Sequence, residues 1–92
     1  MFIQVIHNIT DTSLWTKRLA DFEKQEPSPN FTLHCSGTST DHAKAFCLWE
    51  AESVNALSTI LDQATVGAAQ NIYYTLDEKA PATRLPGSAV AR

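Results

Sequence analysis

The run Lys44-Ala-Phe-Cys-Leu-Trp-Glu-Ala51, near the middle of this 92-residue chain, decides the fold. It is the longest stretch dominated by apolar and aromatic side chains, and Glu52-Ser53 behind it marks the start of a helix. Because so short a run is unlike a typical helix, it is predicted to be a strand that is buried on both faces. Such a strand belongs at the centre of a sheet.

Composition narrows the class of protein. Seven basic and ten acidic residues give a net charge of -3, and Lys17-Arg18 is the only adjacent basic pair, so no nucleic-acid partner is expected. Residues 1–7 lack the features of a signal peptide, and no stretch approaches the ~18 apolar residues of a spanning helix. We therefore expect no membrane partner and a cytoplasmic location. Cys35 and Cys47 lack zinc-site spacing and are expected to be reduced thiols.

Five further elements are predicted around this strand. They are a strand at 2–7, a helix through 14–22, a strand at 31–36, a helix after Ser53 and a strand at 71–76. Asp11, Thr12 or Ser13 can cap the first helix, and Pro27 and Pro29 are expected to end it.

The order strand, helix, strand, strand, helix, strand is that of ferredoxin-like folds. Right-handed crossovers make the first two strands parallel, with the third antiparallel between them and the fourth outside the first. The predicted fold class is α+β, a ferredoxin-like βαββαβ domain with a four-stranded antiparallel sheet and both helices on one face. Residues 1–78 form this domain, and residues 79–92 are expected to be a mobile or partner-docked tail.

Alternation along the strands assigns the two faces of the sheet. The helix side is assigned Ile3, Val5, Phe31, Leu33, Cys35, Phe46, Leu48, Ile72, Tyr74 and Leu76. The opposite face is assigned Phe2, Gln4, Ile6, His34, Cys47, Trp49 and Tyr73. A surface this apolar usually marks an interaction site. We therefore expect a homodimer in which the two sheets pack face to face around a ligand cavity.

The element order, with the run Phe46-Cys-Leu-Trp-Glu-Ala51 and the helix behind it, resembles the dimeric α+β-barrel superfamily over residues 1–78. Lys44-Ala-Phe-Cys-Leu-Trp-Glu-Ala51 is similar to small proteins of the nickel-binding ferredoxin-like group. The superfamily includes cofactor-free and haem-degrading monooxygenases, lactone isomerases, stress-response proteins and ligand sensors. Haem-degrading members use an Asn, a Trp and a His. This chain has Asn8, Trp49 and His34, but their spacing is not matched to that of those members, so the roles are not transferred.

Strand directions bring the polar candidates towards one end of the sheet. A transition-metal site, with nickel as one choice, is predicted from His7, His34 and His42, although no pair has a short fixed ligand spacing. His34 is interpreted either as a general base or as an interface histidine that donates to a carbonyl or to Tyr73. Cys47 is either an inert buried thiol or, if it shares a cavity with His34, a nucleophile.

Three functions fit these residues. The first is a homodimer that binds a small apolar or aromatic ligand through Gln4, His34, Cys47, Trp49 and Tyr73, with no cofactor required. The second is a cofactor-free monooxygenase or isomerase with His34 as base. The third is transition-metal binding through the histidines. The face assignment also predicts that Cys35 and Cys47 lie on opposite faces and form no disulfide.

Overall fold

The computed structural model describes residues 1–25 and 28–87 of the chain. Six elements follow the predicted order: β1 (Phe2–Ile9), α1 (Thr12–Glu23), β2 (Phe31–Thr38), β3 (Lys44–Ala51), α2 (Val54–Ala64) and β4 (Ala69–Thr75). All strand pairs are antiparallel, and the sheet has the order β2-β3-β1-β4. The predicted ferredoxin-like α+β fold and the central place of β3 are confirmed.

Both helices begin at a side-chain cap. Asp11 Oδ1 accepts a hydrogen bond from the Leu14 backbone N–H at 3.0 Å, so Asp11 is the cap among the three candidates. Ser53 Oγ accepts from the Ala56 N–H at 3.1 Å and caps α2 as predicted. Pro27, predicted to end α1, lies outside the described residues, and α1 ends at Glu23. Neither described helix is long and apolar enough to cross a bilayer.

The buried core joins α2 to the two middle strands. Ile3 and Trp49 lie opposite each other in the β1–β3 pairing, and both pack with Leu57 and Leu61 of α2. Ile3 and Val5 are on the helix side as predicted. Since paired residues in an antiparallel sheet share a face, this register also fixes which side chains of β3 face the helices.

The predicted faces of β3 were wrong. Cys47 and Trp49 pack on the helix side, whereas Phe46 is 38% exposed and lies with Leu48 on the open face of the sheet. A strand with apolar side chains on both faces carries no clear alternation, so its pattern could not assign them. The small Ala45 shares the helix side with Cys47.

The same inversion affects β4. Tyr73 lies opposite Val5 and packs against the core, whereas Ile72 and Tyr74 are 43% and 52% exposed. The prediction that Ile72 and Tyr74 join the core and that Tyr73 lies outside it was therefore wrong.

A β-bulge explains the position of Cys35. The pairing of β2 with β3 shifts between Leu33, which lies opposite Trp49, and Cys35, which lies opposite Leu48. Cys35 therefore lies on the open face, not on the predicted helix side. Cys35 and Cys47 are still on opposite faces, each on the other side from the one predicted, and both are free thiols.

Beyond β4 the chain continues along β1 for one more residue. The Leu76 backbone N–H donates to the Phe2 carbonyl at 3.0 Å, and turns follow at 77–80 and 80–83. Residues 79–87 of the predicted tail are thus described as turns and irregular chain, and residues 88–92 lie outside the described residues.

Candidate functional site

A cavity of about 150 Å³ lies under α1, on the helix side of the sheet. Trp15, Arg18 and Phe22 of α1 form one wall, and Cys47 and Trp49 of β3 form the facing wall. The cavity has room because α2 packs more closely on the sheet than α1 does, and because the sheet side chains below it include small ones.

His7 closes the floor of this cavity. It follows Ile3 and Val5 on the helix side of β1, and only 2% of its surface is exposed. Its ring centroid lies 5.0 Å from the ring centroid of Trp15, so α1 covers it. A buried histidine needs hydrogen-bond partners for both ring nitrogens, and His7 has them.

The two nitrogens of His7 bind side chains from the two neighbouring strands. Nδ1 lies 2.6 Å from Asn71 Oδ1, and Nε2 lies 3.2 Å from Cys47 Sγ. These partners are in reach because His7 lies directly opposite Asn71 in β4, while Cys47 lies two residues beyond Ala45, the residue opposite His7 in β3, on the same face.

Asn71 determines which ring nitrogen of His7 carries the proton. Its amide nitrogen donates to Asp62 Oδ1 at 3.0 Å and to Thr65 Oγ1 at 2.9 Å, so its oxygen is left to accept from His7. His7 therefore carries its proton on Nδ1, and Nε2 presents a lone pair to the Cys47 thiol. This is the tautomer that His7 needs in order to accept a proton from Cys47 as a general base.

Tyr73 completes the network at α2. Its hydroxyl donates to Asp62 Oδ1 at 2.6 Å. Burial, and next the hydrogen bond to Asp62, raise the pKa of Tyr73, since both favour the neutral phenol. Tyr73 thus positions the Asp62 carboxylate, which also accepts a hydrogen bond from Asn71.

Burial keeps the thiol and the imidazole neutral near pH 7. It lowers the pKa of His7 below 6.5, although Asn71 and Asp62 act in the opposite direction. Burial also raises the pKa of Cys47 from 9.0 to about 11, and the nearby indole of Trp49 offsets part of that rise. The pair is therefore a thiol hydrogen-bonded to a neutral imidazole, not a preformed ion pair.

Two buried donors at the cavity lack acceptors. Among the described residues, Trp49 Nε1 and Arg18 Nε are fully buried nitrogens with no hydrogen-bond partner. The Trp49 indole is close enough to Cys47 to favour its thiolate, but its N–H forms no hydrogen bond that satisfies it. Native proteins rarely leave buried donors unpaired, so these two indicate a place for an acceptor.

A wider groove of about 570 Å³ adjoins this cavity along the outer strand. Phe22, Leu33 and Trp49 line both spaces, so the two lie side by side. The larger groove is lined by neither His7 nor Cys47, and the candidate chemistry therefore belongs to the smaller cavity.

The predicted ligand-binding residues lie on opposite faces of the sheet. Cys47 and Trp49 line the helix-side cavity, and Tyr73 packs on the same side. Gln4 and His34 lie on the open face instead. The prediction that all five line one cavity between two sheets was wrong, because the faces of β3 and β4 are inverted.

His34 has a different environment from the one its predicted base role needs. Its Nε2 lies 3.0 Å from Glu50 Oε1, and its ring centroid lies 5.3 Å from that of Phe2 on the open face, with the two rings tilted by 39°. The sheet separates it from Cys47. A Cys47–His34 pair is therefore excluded, and His7 takes that position.

The predicted histidine metal site does not assemble. His7 is buried on the helix side, His34 lies on the other face, and His42 lies in the β2–β3 hairpin. Within residues 1–25 and 28–87, no three His, Cys, Asp or Glu side chains are grouped so that they could hold a metal ion.

Sequence reasoning missed Arg18, Asp62, Thr65 and Asn71. Asn71 could have been found, because the predicted β1–β4 pairing brings a polar residue of β4 beside His7. Asp62 and Thr65 sit at the end of α2, where a carboxylate and a hydroxyl look like ordinary surface groups.

Comparisons with known proteins found no significant match to this chain among protein-family models, curated proteins or solved structures. The resemblance to the dimeric α+β-barrel superfamily is therefore supported at the level of the ferredoxin-like topology alone.

Proposed function

We propose that this domain binds a small ligand with an apolar body and one anionic or carbonyl oxygen, in the cavity under α1. The observation that carries this proposal is the buried indole N–H of Trp49, which lacks an acceptor at the cavity wall. Leaving such a donor unpaired costs about 1–3 kcal/mol, and a ligand oxygen would recover that free energy.

The remaining walls indicate the ligand class. Trp15, Phe22 and Leu33 offer aromatic and aliphatic surface, and Arg18 Nε adds a second buried donor. Among the described residues the only salt bridge is His34–Glu50, so none of the described carboxylates pairs with the Arg18 guanidinium. Arginine favours carboxylates, and an apolar cavity of about 150 Å³ holds a benzene-sized molecule. A small aromatic carboxylate combines both features.

Benzoate and benzyl alcohol test this proposal, because they share the ring and differ in charge. We expect benzoate to bind more tightly in ligand-observed NMR titrations. Arg18→Gln should weaken benzoate binding at least about tenfold, since a hydrogen bond to a charged group contributes about 1.5–3 kcal/mol. Lys17→Gln is the matched control, because the exposed Lys17 precedes Arg18 on α1 but does not line the cavity. Equal binding of the two compounds, or equal loss in both variants, would contradict the proposal.

The enzymatic alternative, a cofactor-free monooxygenase or isomerase, stays a prediction with a changed base. His7 lines the cavity and His34 does not, so His7 is the base that such a reaction would use. Nickel binding has no supporting ligand group in the described residues.

We also propose that two copies pair through the open face of the sheet, as in the dimeric superfamily. Phe46, Ile72 and Tyr74 are exposed there, and large apolar patches on soluble domains mark interaction sites. Lys44 and Glu50 lie at opposite ends of β3 on the same face. A two-fold axis that lies between the two sheets, perpendicular to β3, would place each Lys44 towards the Glu50 end of β3 in the second copy.

Sedimentation at micromolar concentration tests the dimer. Tyr74→Lys should shift the protein towards the monomer, whereas Val66→Lys, which is equally exposed but lies outside the sheet, should not. A wild-type protein that sediments as a monomer would exclude this interface.

A further inference from the structure

We propose that Cys47 is a nucleophile that takes an acyl group from small activated esters or thioesters, with His7 as its general base and Asn71 as the residue that orients His7. The proposal rests on the cavity of the proposed function, since the acyl donor must enter it. It is a separate claim, because a domain can bind carboxylates there without reacting with any acyl donor.

The geometry has the three parts of an activated nucleophile. Cys47 Sγ lies 3.2 Å from His7 Nε2, and the other nitrogen of the same ring lies 2.6 Å from Asn71 Oδ1. A cysteine, a base and an orienting amide in this order serve acyl transfer on unrelated folds. Here Asp62 and Thr65 hold Asn71 in turn, so the amide cannot flip without losing two hydrogen bonds.

The cavity supplies what the reacting oxygen needs. When the sulfur attacks a carbonyl carbon, a C–S bond forms and negative charge moves onto the carbonyl oxygen. The donors that can form hydrogen bonds to that oxygen are Trp49 Nε1 and Arg18 Nε, and neither has another acceptor among the described residues. Preorganised donors of this kind stabilise acyl-transfer transition states.

The protons and electrons balance within two half-reactions. As Cys47 attacks, the thiol proton passes to His7 Nε2. The bond to the leaving alcohol or thiol then breaks, and the leaving group takes that proton from His7. Water is the second reactant: His7 removes its proton as it attacks the acyl-cysteine, and the carboxylic acid leaves while the thiol is restored.

The neutral resting state makes a specific prediction about pH. Because the thiol is protonated at neutral pH, attack depends on neutral His7 and not on a preformed thiolate. The titratable or charged groups around His7 are Arg18 and Glu23 from α1, Asp62 from α2, Cys47 from β3 and Tyr73 from β4.

The test uses p-nitrophenyl acetate as the acyl donor, with intact mass and peptide mapping as readouts. In samples quenched within the first turnover, we expect acetylation of Cys47 to be faster than that of Cys35. Cys35→Ser is the matched control, because Cys35 is an exposed thiol on the other face of the sheet. The Cys35→Ser variant should still be acetylated at Cys47, whereas Cys47→Ser should lose that modification. Benzoate should slow the acetylation of Cys47 but not that of Cys35.

The pH profile separates a base from a merely structural histidine. The acetylation rate of Cys47 should rise as His7 loses its proton, at a pH below 6.5, and then level off through neutrality. His7→Gln should lose this plateau and show a rate that climbs about tenfold per pH unit towards the thiol pKa. His34→Gln should behave as the wild type. If His7→Gln does not fold, the plateau in the wild-type profile remains decisive.

Two results would overturn the proposal. One is acetylation of Cys47 no faster than that of Cys35 in a protein that still binds benzoate, which would leave the ligand site standing and remove the chemistry. The other is a rate that climbs with pH through neutrality without a plateau, which would show reaction through the thiolate alone. Loss of benzoate binding with retained benzoate-insensitive acetylation would instead remove the proposed ligand site and, with it, this proposal.

Discussion

His7 and His34 are the same residue type in adjacent regions of one small sheet, yet their environments differ in kind. His7 is buried, and its two ring nitrogens each have a side-chain partner. His34 makes one side-chain hydrogen bond, with the exposed carboxylate of Glu50. The difference follows from strand parity, which places one imidazole beneath α1 and the other on the open face.

Replacing each histidine by alanine should show this difference in stability. His7→Ala leaves a cavity beside Trp15 and an unpaired acceptor on Asn71, and we expect a loss of about 3 kcal/mol in the free energy of unfolding. His34→Ala removes a single contact with the exposed Glu50 carboxylate and should cost below about 1 kcal/mol. Urea unfolding monitored by tryptophan fluorescence measures both. Equal losses would show that the network around His7 adds nothing to stability.

At the scale of elements, α1 is the more loosely packed side of the cavity. It contributes Trp15, Arg18 and Phe22 to the wall, and it packs less closely on the sheet than α2 does. Its first turn has no acidic residue, so the cap at Asp11 is the main device that fixes where the helix begins.

Asp11→Ala should therefore loosen α1. We expect a loss of about 1 kcal/mol in stability and faster hydrogen exchange of the amides in the first turn, because the Leu14 N–H loses its acceptor. Ser13→Ala is the matched control, since Ser13 is exposed and its hydroxyl makes no hydrogen bond among the described residues. Similar exchange in the two variants would argue that another contact holds this end of the helix.

At the scale of the whole molecule, the buried titratable groups predict how stability depends on pH. The folded pKa of His7 is lower than 6.5, so between pH 6.5 and the folded pKa the unfolded chain binds a proton that the folded chain does not bind. Stability therefore falls as the pH decreases from 6.5 through the folded pKa. The folded pKa of Cys47 is raised from 9.0 to about 11, so stability is retained below pH 9.0 and is lost as the pH rises towards 11. Maximum stability should lie between these limits.

Thermal unfolding at a series of pH values measures this profile. The acid side should flatten in His7→Gln, and the alkaline side should flatten in Cys47→Ser, because each variant removes one of the shifted groups. Acid and alkaline sides that match the wild type in both variants would show that other groups control the pH dependence.

Much of the architecture was predictable because it rests on short-range patterns. The six elements, the cap at Ser53, the strand order and the central place of β3 all followed from apolar periodicity, cap residues and crossover handedness. On β1, Ile3 and Val5 alternate with Gln4, and their faces were assigned correctly. On β3, Phe46 and Leu48 compete with Cys47 and Trp49 for the core, and the pattern gave the wrong answer.

The candidate site was predictable only in its parts. Cys47 and His7 were recognised as residues that carry chemistry, but Cys47 was paired with His34. A single bulge in β2 and a one-residue error of parity in β3 each move a set of side chains to the opposite face. The parity error leaves no mark in the sequence because β3 has apolar side chains on both faces.

The sequence by itself determined the fold class, because periodicity, caps and turns are encoded within each element. Only the tertiary structure decided which face of β3 meets the helices, since that depends on its register with β1, where Ile3 meets Trp49 and Val5 meets Cys47. That register places the thiol of Cys47 against His7 and His7 against Asn71. The physical reason is that side-chain direction in a strand is set by pairing and burial together, and both involve residues far apart in the chain.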